Sequence, residues 1–277
     1  MNRLKIGARA HDLADQTPQA LIAQAHELGL DGLQLAVHKS WPEAYQARDI
    51  HALTTHIQQL QEAGLPLFLL ASYFNPAHSD ADVLGRELAR VRLNIELAQR
   101  CHIGTVGSET GSLNDDDWTR HPDNHGAAAF HKVEQTLAQL KPDLAQAGCD
   151  FLVEAVCDHI IHDARSLTRL NARLGEHFLV TLDLANLLDA DNAANWREIL
   201  ADFLDQHGER IRLFHFKNFI LAGRDKVSVE LAQGLIDYAE VLVMLAQCQL
   251  THIPIIVEEL TGDALRESVA YLRHLSR

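Results

Sequence analysis

The chain has 277 residues, 47% of them hydrophobic and 22% charged, with a formal net charge of -14. Such a chain can bury a substantial core, and no Pro/Gly/Ser-rich linker divides it, so a single domain over 1–277 is expected. The acidic balance argues against a nucleic-acid partner, which needs a basic face, and no apolar run approaches a membrane span.

From the N-terminus, strand-like and helix-period segments alternate. KIGARA (5–10) reads as a strand, and PQALIAQAHELG follows with Pro18 in a first helical turn and Gly29 at its end. GLQLAV (32–37) and PLFLLASY (66–73) are the next strands, then a helix over 81–100 and a strand IGTVGSE (103–109). A helical pattern over 128–148 leads to DFLVEAV (150–156) and FLVTLDL (178–184). Helix 196–208, strand RLFHFKN (212–218), helix 236–249, strand IPIIVEE (253–259) and helix 264–276 complete the series. The phrases ELGLDG, EAGLPL and QAGCDF mark helix-to-strand turns, where Gly supplies a left-handed backbone. Cys101, Cys149, Cys157 and Cys248 show no CxxC spacing and read as reduced thiols. The segment MNRLKIGARAHDL lacks the apolar stretch of a signal peptide, so a cytoplasmic soluble protein is expected.

Eight strand–helix units in about 250 residues imply an α/β fold, a (β/α)8 TIM barrel, with both termini at the N-terminal end of the barrel. Near-continuous apolar strands fit a parallel sheet covered on both faces. The competing architecture, a doubly wound open sheet, lacks a GxGxxG turn after strand one, where the sequence reads GARAHDL.

Four apolar runs each end on a metal-binding residue: FLVE at Glu154, LVTLD at Asp183, RLFH at His215 and PIIVE at Glu258. In a barrel these ends converge on one mouth, which points to one divalent-metal site assembled from distant segments. Of Glu258 and Glu259, strand alternation sends only one inward. A Glu2AspHis set accepts manganese, the expected ion, and also magnesium, cobalt or zinc.

The ordered motifs resemble the sugar isomerase/epimerase branch of the xylose isomerase-like TIM-barrel superfamily. They are Glu154 on strand five, Asp183 with Asn186, His215 with Lys217 and Asn218, Gly234 through Tyr238, and Glu258 on the last strand. SYFNP (72–76) and VGSETG (106–111) also resemble subfamily patterns. Asn186 stands where many epimerases have a substrate-contacting histidine, and Asn218 replaces the usual Asp. The resemblance implies a metal-dependent isomerase or epimerase acting on a sugar or sugar-derived keto acid through an enediolate. It also implies that Glu258, not Glu259, is the inward one of that pair. Glu154 and Glu258 would move the proton from opposite faces, while Asp183 and His215 hold the metal.

Several mouth residues carry two readings. Lys217 contacts a substrate oxygen or forms an ion pair; Glu109 is a third mouth carboxylate or a loop cap. His11, Tyr73 and Asn75 line the pocket or pack their loops, and Asn186 is a substrate contact in place of the histidine of many epimerases. His159 and His162 trail strand five without suggesting a second metal. His51, His56, His121, His125 and His131 read as solvated, and Asp115, Asp116 and Asp117 as initiating a turn at Trp118 rather than binding calcium. Competing functions are a dehydratase, with Lys217 or His11 protonating a leaving hydroxyl, a non-catalytic sugar-binding protein, and an endonuclease IV-like nuclease. The last needs three metals and more histidines, one at Asn186. No phosphate cradle is evident, which favours an unphosphorylated substrate. Self-association into a homo-oligomer is compatible with the sequence.

Overall fold

The computed structural model describes residues 3–115 and 117–276, so Asp116 lies outside the described residues. Eight parallel strands close into a barrel: β1 (Ile6–Arg9), β2 (Gly32–Leu35), β3 (Leu67–Ala71), β4 (Thr105–Glu109), β5 (Asp150–Glu154), β6 (Phe178–Asp183), β7 (Ile211–Phe216) and, last in the chain, β10 (Ile255–Val257). Strand neighbours follow chain order, and β10 closes the ring between β7 and β1. The single-domain (β/α)8 barrel is therefore the fold. Among the described residues no helix is long and apolar enough to cross a membrane.

Helices sheathe the barrel: α1 (Pro18–Leu28), α2 (Val37–Ser40), α3 (Pro42–Gln46), α4 (Ile50–Glu62), α5 (Ala81–Arg100), α6 (Ala127–Ala138), α7 (Lys141–Ala147), α8 (Ala164–Leu174), α9 (Trp196–His207), α10 (Tyr238–Gln247) and α11 (Gly262–Leu275). Gly29, Gly64 and Gly148, at the three recurring turns, have φ of 68°, 79° and 65°. The C-terminal helix returns to the start of the barrel, where Arg273 donates to the Leu4 carbonyl at 2.8 Å.

Three expectations change. The helix anticipated over 128–148 breaks between α6 and α7, because Pro142 has no N–H to continue the ladder and its ring crowds the preceding turn. Helices α4 and α8 fill stretches that carried no anticipated element; Asp49 and Asp163 cap them, the latter in a capping box with Ser166. Strand seven ends at Phe216, and Asn218 opens an antiparallel hairpin, β8 (Asn218–Ala222) and β9 (Asp225–Val229).

Two apolar layers decide where side chains point. The outer layer packs strands against helices; the small inner cluster, including Leu69, Ala71, Leu152, Leu179, Leu213 and Ile256, fills the barrel lumen. Successive strand residues face opposite sides, so two residues past each lumen side chain the same face continues upward into the mouth. Leu152 leads to Glu154, Leu213 to His215, Ile256 to Glu258 and, in two steps, Leu179 to Asp183.

The lumen is narrow enough to require glycine. A Cβ on Gly107 would sit 2.7 Å from the Leu152 carbonyl oxygen and 3.1 Å from Leu69 Cδ1. Gly107→Ala should lose about 1–3 kcal/mol of stability through overpacking. Chemical denaturation measures this; an unchanged midpoint would mean that β4 and β5 sit further apart.

Candidate metal centre

Glu154, Asp183, His215 and Glu258 are 5%, 1%, 2% and 4% exposed, and one donor atom from each lies within 4.8 Å of all the others. Among the described residues this is the one group of three or more such donors that converges. The strand register brings them together: Asp183 pairs with His215 across β6 and β7, and Glu109 with Glu154 across β4 and β5. His215 Nδ1 lies 3.0 Å from Glu154 Oε2 and 3.5 Å from Glu258 Oε2.

The histidine is oriented from behind. Its Nε2 lies 2.7 Å from Gln34 Oε1, and the Gln34 amide donates to the Tyr73 hydroxyl at 2.8 Å. The Gln34 oxygen only accepts, so Nε2 carries the proton and Nδ1 is the atom presented to the carboxylates. Neither Nδ1 nor Asp183 Oδ2 has an aligned hydrogen-bond partner. Buried polar atoms that lack an aligned hydrogen bond, in a set of three carboxylates and one imidazole, fit a divalent cation.

Within this cluster the compensating cation is Lys217. Its ammonium lies 3.3 Å from Asp183, 3.1 Å from Glu258 and 2.7 Å from Glu259. Arg9 adds a longer contact to Glu258, 3.6 Å, while gripping Asp12 at 2.7 Å and 2.9 Å. Burial pushes the Asp183 carboxyl up, and the charges of Glu258 and Glu154 add to this against Lys217. Burial opposes ionisation of Glu258 too, but Lys217, His215 and Arg9 outweigh it and hold that carboxyl well below the usual range. His215 is disfavoured as a cation by burial, yet Glu258 and Glu154 raise it to about 9.

Glu258 is the member that joins the cluster, as alternation requires. Glu259, beyond the strand end, adopts φ 60° and so also reaches Lys217, from the outer side. A left-handed backbone is uncommon for a residue with a side chain and costs roughly 1–2 kcal/mol. The structure places Lys217 in an ion-pair network. Asn186 donates to Glu154 Oε1 at 2.6 Å, and its backbone N–H reaches Asp183 Oδ1 at 3.2 Å.

Glu109 stands at the mouth, where burial and then the charge of Glu154 push its carboxyl up. Its Oε2 lies 3.6 Å from buried His159 Nδ1. His11 and Tyr73 sit edge to face with ring centroids 6.4 Å apart, and Lys39 approaches both, 3.4 Å from His11 Nε2 and 4.7 Å over the Tyr73 ring. Asn75 is elsewhere engaged: its amide donates to the Ser112 carbonyl at 2.8 Å and its oxygen accepts from Ala77 N at 3.0 Å. Asn218 likewise braces the loop before α10, donating to the carbonyls of Leu231 and Ile236. Tyr238, the first residue of α10, in turn fixes Lys217, whose carbonyl accepts the Tyr238 hydroxyl at 2.7 Å. Asp115 and Asp117 accept from Ser79 and Thr119, as turn residues do.

Sequence reasoning missed Gln34, Arg9 and the hairpin. Gln34 is the lone polar residue of GLQLAV, and a polar side chain inside an apolar strand needs a buried partner. Arg9 ends strand one as the four donors end theirs. Two β-type runs around Gly223 signal a hairpin, with φ 69° at that glycine.

The xylose isomerase-like TIM-barrel family matches residues 22–275. No curated protein matches the sequence. Among solved structures, 3-keto-D-glucoside 4-epimerase YcjR from E. coli in its apo form superposes with TM-score 0.73 at 15% identity, covering 98% of this chain and 99% of that one. The probable 3-DHS dehydratase AsbF of petrobactin synthesis in Bacillus anthracis gives 0.72 at 13%, covering 97% and 98%. Endonuclease IV from Thermus thermophilus gives 0.70 at 17%, covering 98% of each chain. At such identities the likeness is one of fold.

Metal uptake requires His215 to shed its proton and Asp183 to ionise. Apparent affinity for manganese should therefore rise from pH 6 to 9, with protons released, as titration calorimetry in buffers of different ionisation heat would show. A flat profile would contradict the assigned protonation. Gln34→Leu should weaken the same binding about 10–100-fold by freeing the imidazole, while circular dichroism stays native.

Proposed function

The chain belongs to the xylose isomerase-like TIM-barrel family, and from that premise and the geometry of the mouth we propose that it is a divalent-metal-dependent isomerase or epimerase of a sugar or sugar-derived keto acid. The observation that carries this reading is the convergence of two glutamates, an aspartate and a Gln34-oriented histidine on one buried point.

Glu154, Asp183, His215 and Glu258 would hold the ion, with manganese favoured and magnesium, cobalt or zinc accepted by the same donors. Bound there, a divalent ion supplies Lewis-acid stabilisation of the negative charge that develops when a proton leaves carbon next to a carbonyl. The protein's own part is to move that proton. Glu154 and Glu258 come from strands that are not neighbours in the barrel, so they approach the mouth from different sides. One carboxylate oxygen accepts the proton and the other residue returns one: on the opposite face of the same carbon this inverts it, and on the former carbonyl carbon it moves the carbonyl, the neighbouring hydroxyl's proton passing to the old carbonyl oxygen. Asn186 holds Glu154 Oε1 in place, leaving Oε2 turned toward His215. Lys217 and Arg9 keep Glu258 ionised at rest, ready to accept. His11 and Tyr73 would border the substrate, and Lys217 would meet its oxygens beside the carboxylates it pairs with. Asn75, with both polar groups engaged, would shape the loop.

A dehydratase is the second reading, favoured by Glu109. A carboxyl whose proton is held by burial and by the charge of Glu154 is suited to protonate a leaving hydroxyl. Three carboxylates around Lys217 hold its proton in place, and burial, Lys39 and Arg9 lower His11 to about 3, so neither is as good a proton donor.

Glu154→Gln and Glu258→Gln should each cost about 10²–10⁴ in rate while retaining much of the pocket. Asp183→Asn should weaken metal affinity, with added metal recovering part of the activity. In deuterated water with a panel of ketoses and keto acids, the wild type should place deuterium next to the carbonyl. Formation of an unsaturated product instead would establish the dehydratase, and Glu109→Gln would then abolish it.

A further inference from the structure

The hairpin inserted after β7 does more than cap the barrel. Lys226 donates to the carbonyls of Ala185 and Leu188 at 3.0 and 2.9 Å, and Arg224 grips Asp191 through both nitrogens. The hairpin is thereby tied to the turn after β6. Between the two lies a cavity of about 220 Å³, bordered by Asn186, Lys217, Phe219, Lys226, Ser228 and Glu259. Asn186 and Lys217 also touch carboxylates of the centre, so the cavity and the centre share a wall.

We propose that this cavity is a subsite for the uncharged, hydroxyl-bearing end of a substrate that extends past the atoms held at the metal centre. The inference rests on the sugar-transforming reading above and adds to it the character of the distal end. Three features select hydroxyls. Lys226 spends two of its three N–H groups on carbonyls and keeps one. Asn186 spends one amide hydrogen on Glu154 and keeps another, with its oxygen. Glu259 takes one hydrogen bond on each oxygen, from Lys217 and from Ser228 at 3.2 Å, and retains lone pairs. A hydroxyl both donates and accepts and so satisfies either kind of group, whereas a carboxylate or phosphate only accepts: it could meet the free N–H of Lys226 but would lie beside Glu259 and leave that residue's lone pairs without a donor. The Phe219 ring offers a surface to C–H groups between the hydroxyls. The volume matches about seven waters of liquid, room for about three hydroxylated carbons.

The test uses metal-loaded full-length protein and a ladder of uncharged ketoses from dihydroxyacetone through erythrulose and ketopentoses to ketohexoses, with 6-carboxylated ketohexoses beside them. The kcat/KM for deuterium exchange should rise at least tenfold from the shortest to the longest, and fall at least tenfold when the terminal hydroxyl becomes a carboxylate. Ser228→Leu, on the exposed hairpin, should erase most of the length advantage by filling the cavity, whereas Val227→Thr, at a 45% exposed position, should keep it. A flat ladder, an equal loss on all lengths in Ser228→Leu, or preference for the carboxylate would overturn the subsite while leaving the isomerase reading intact. If no sugar exchanges, that reading fails instead, and calorimetry decides the subsite separately. Hexitols binding more tightly than glycerol, with the difference lost in Ser228→Leu, would support it; equal or absent binding would overturn it.

Discussion

Three carboxylates buried within a few ångströms of one another are the constraint on which the rest of the site depends. Each would cost several kcal/mol if left without compensation in a poorly solvated barrel mouth. The protein answers with cations placed by the same period-two rule that places the acids. Lys217 follows His215 by two residues and therefore leaves the barrel on the same face, with its ammonium between Asp183 and Glu258. Arg9, two residues after Gly7 on β1, closes on Glu258 from the opposite side. Glu154 is met by a neutral donor, Asn186, on one oxygen and by the His215 imidazole on the other, without a lysine or arginine. The two glutamates thus sit in different electrostatic surroundings although their chemistry is the same.

Barrel construction explains how residues scattered between positions 154 and 258 meet. A lumen packed with Leu, Ala and Ile forms a floor, and the next inward position on each strand emerges above it. The imidazole depends on β2, 181 positions away in sequence, for its orientation. Tyr73 on the β3 side holds Gln34, so the order of the centre reaches from two adjacent strands, β2 and β3, across the lumen to β7. Loosening any member of Tyr73–Gln34–His215 would free the ring without touching a carboxylate.

The barrel and the four central donors were legible because both rest on local signals. Apolar runs gave the strands, and a donor ending an apolar run is conspicuous in one dimension. Gly29, Gly64 and Gly148 marked their turns for the same reason. What escaped detection depends on distant partners. Gln34 looks like an irregular strand residue until His215 is placed opposite it. Asn75 carries the same functional groups as a substrate contact, but Ser112 and Ala77 use them, and nothing near Asn75 in sequence announces that. Glu259 follows alternation up to the strand end and departs from it where a left-handed turn begins. The hairpin was marked by Gly223, but its first strand is continuous with β7 in apolar pattern and merged with it.

A fold shared by an epimerase, a dehydratase and a nuclease cannot by itself select among their chemistries. Selection has to come from groups that decide where protons rest and which ligand atoms find partners. In this chain the β4 side carries Glu109, whose ionisation burial and Glu154 oppose, which favours its keeping a proton. On the β7 side Lys217 is committed to three carboxylates, so a substrate oxygen arriving there must share its ammonium with them. The two sides therefore differ in what they can supply, a transferable proton on one and fixed positive charge on the other. An enediolate needs the second and an eliminated hydroxyl needs the first, so under the function proposed above the balance between isomerisation and dehydration would turn on which side the reacting hydroxyl occupies.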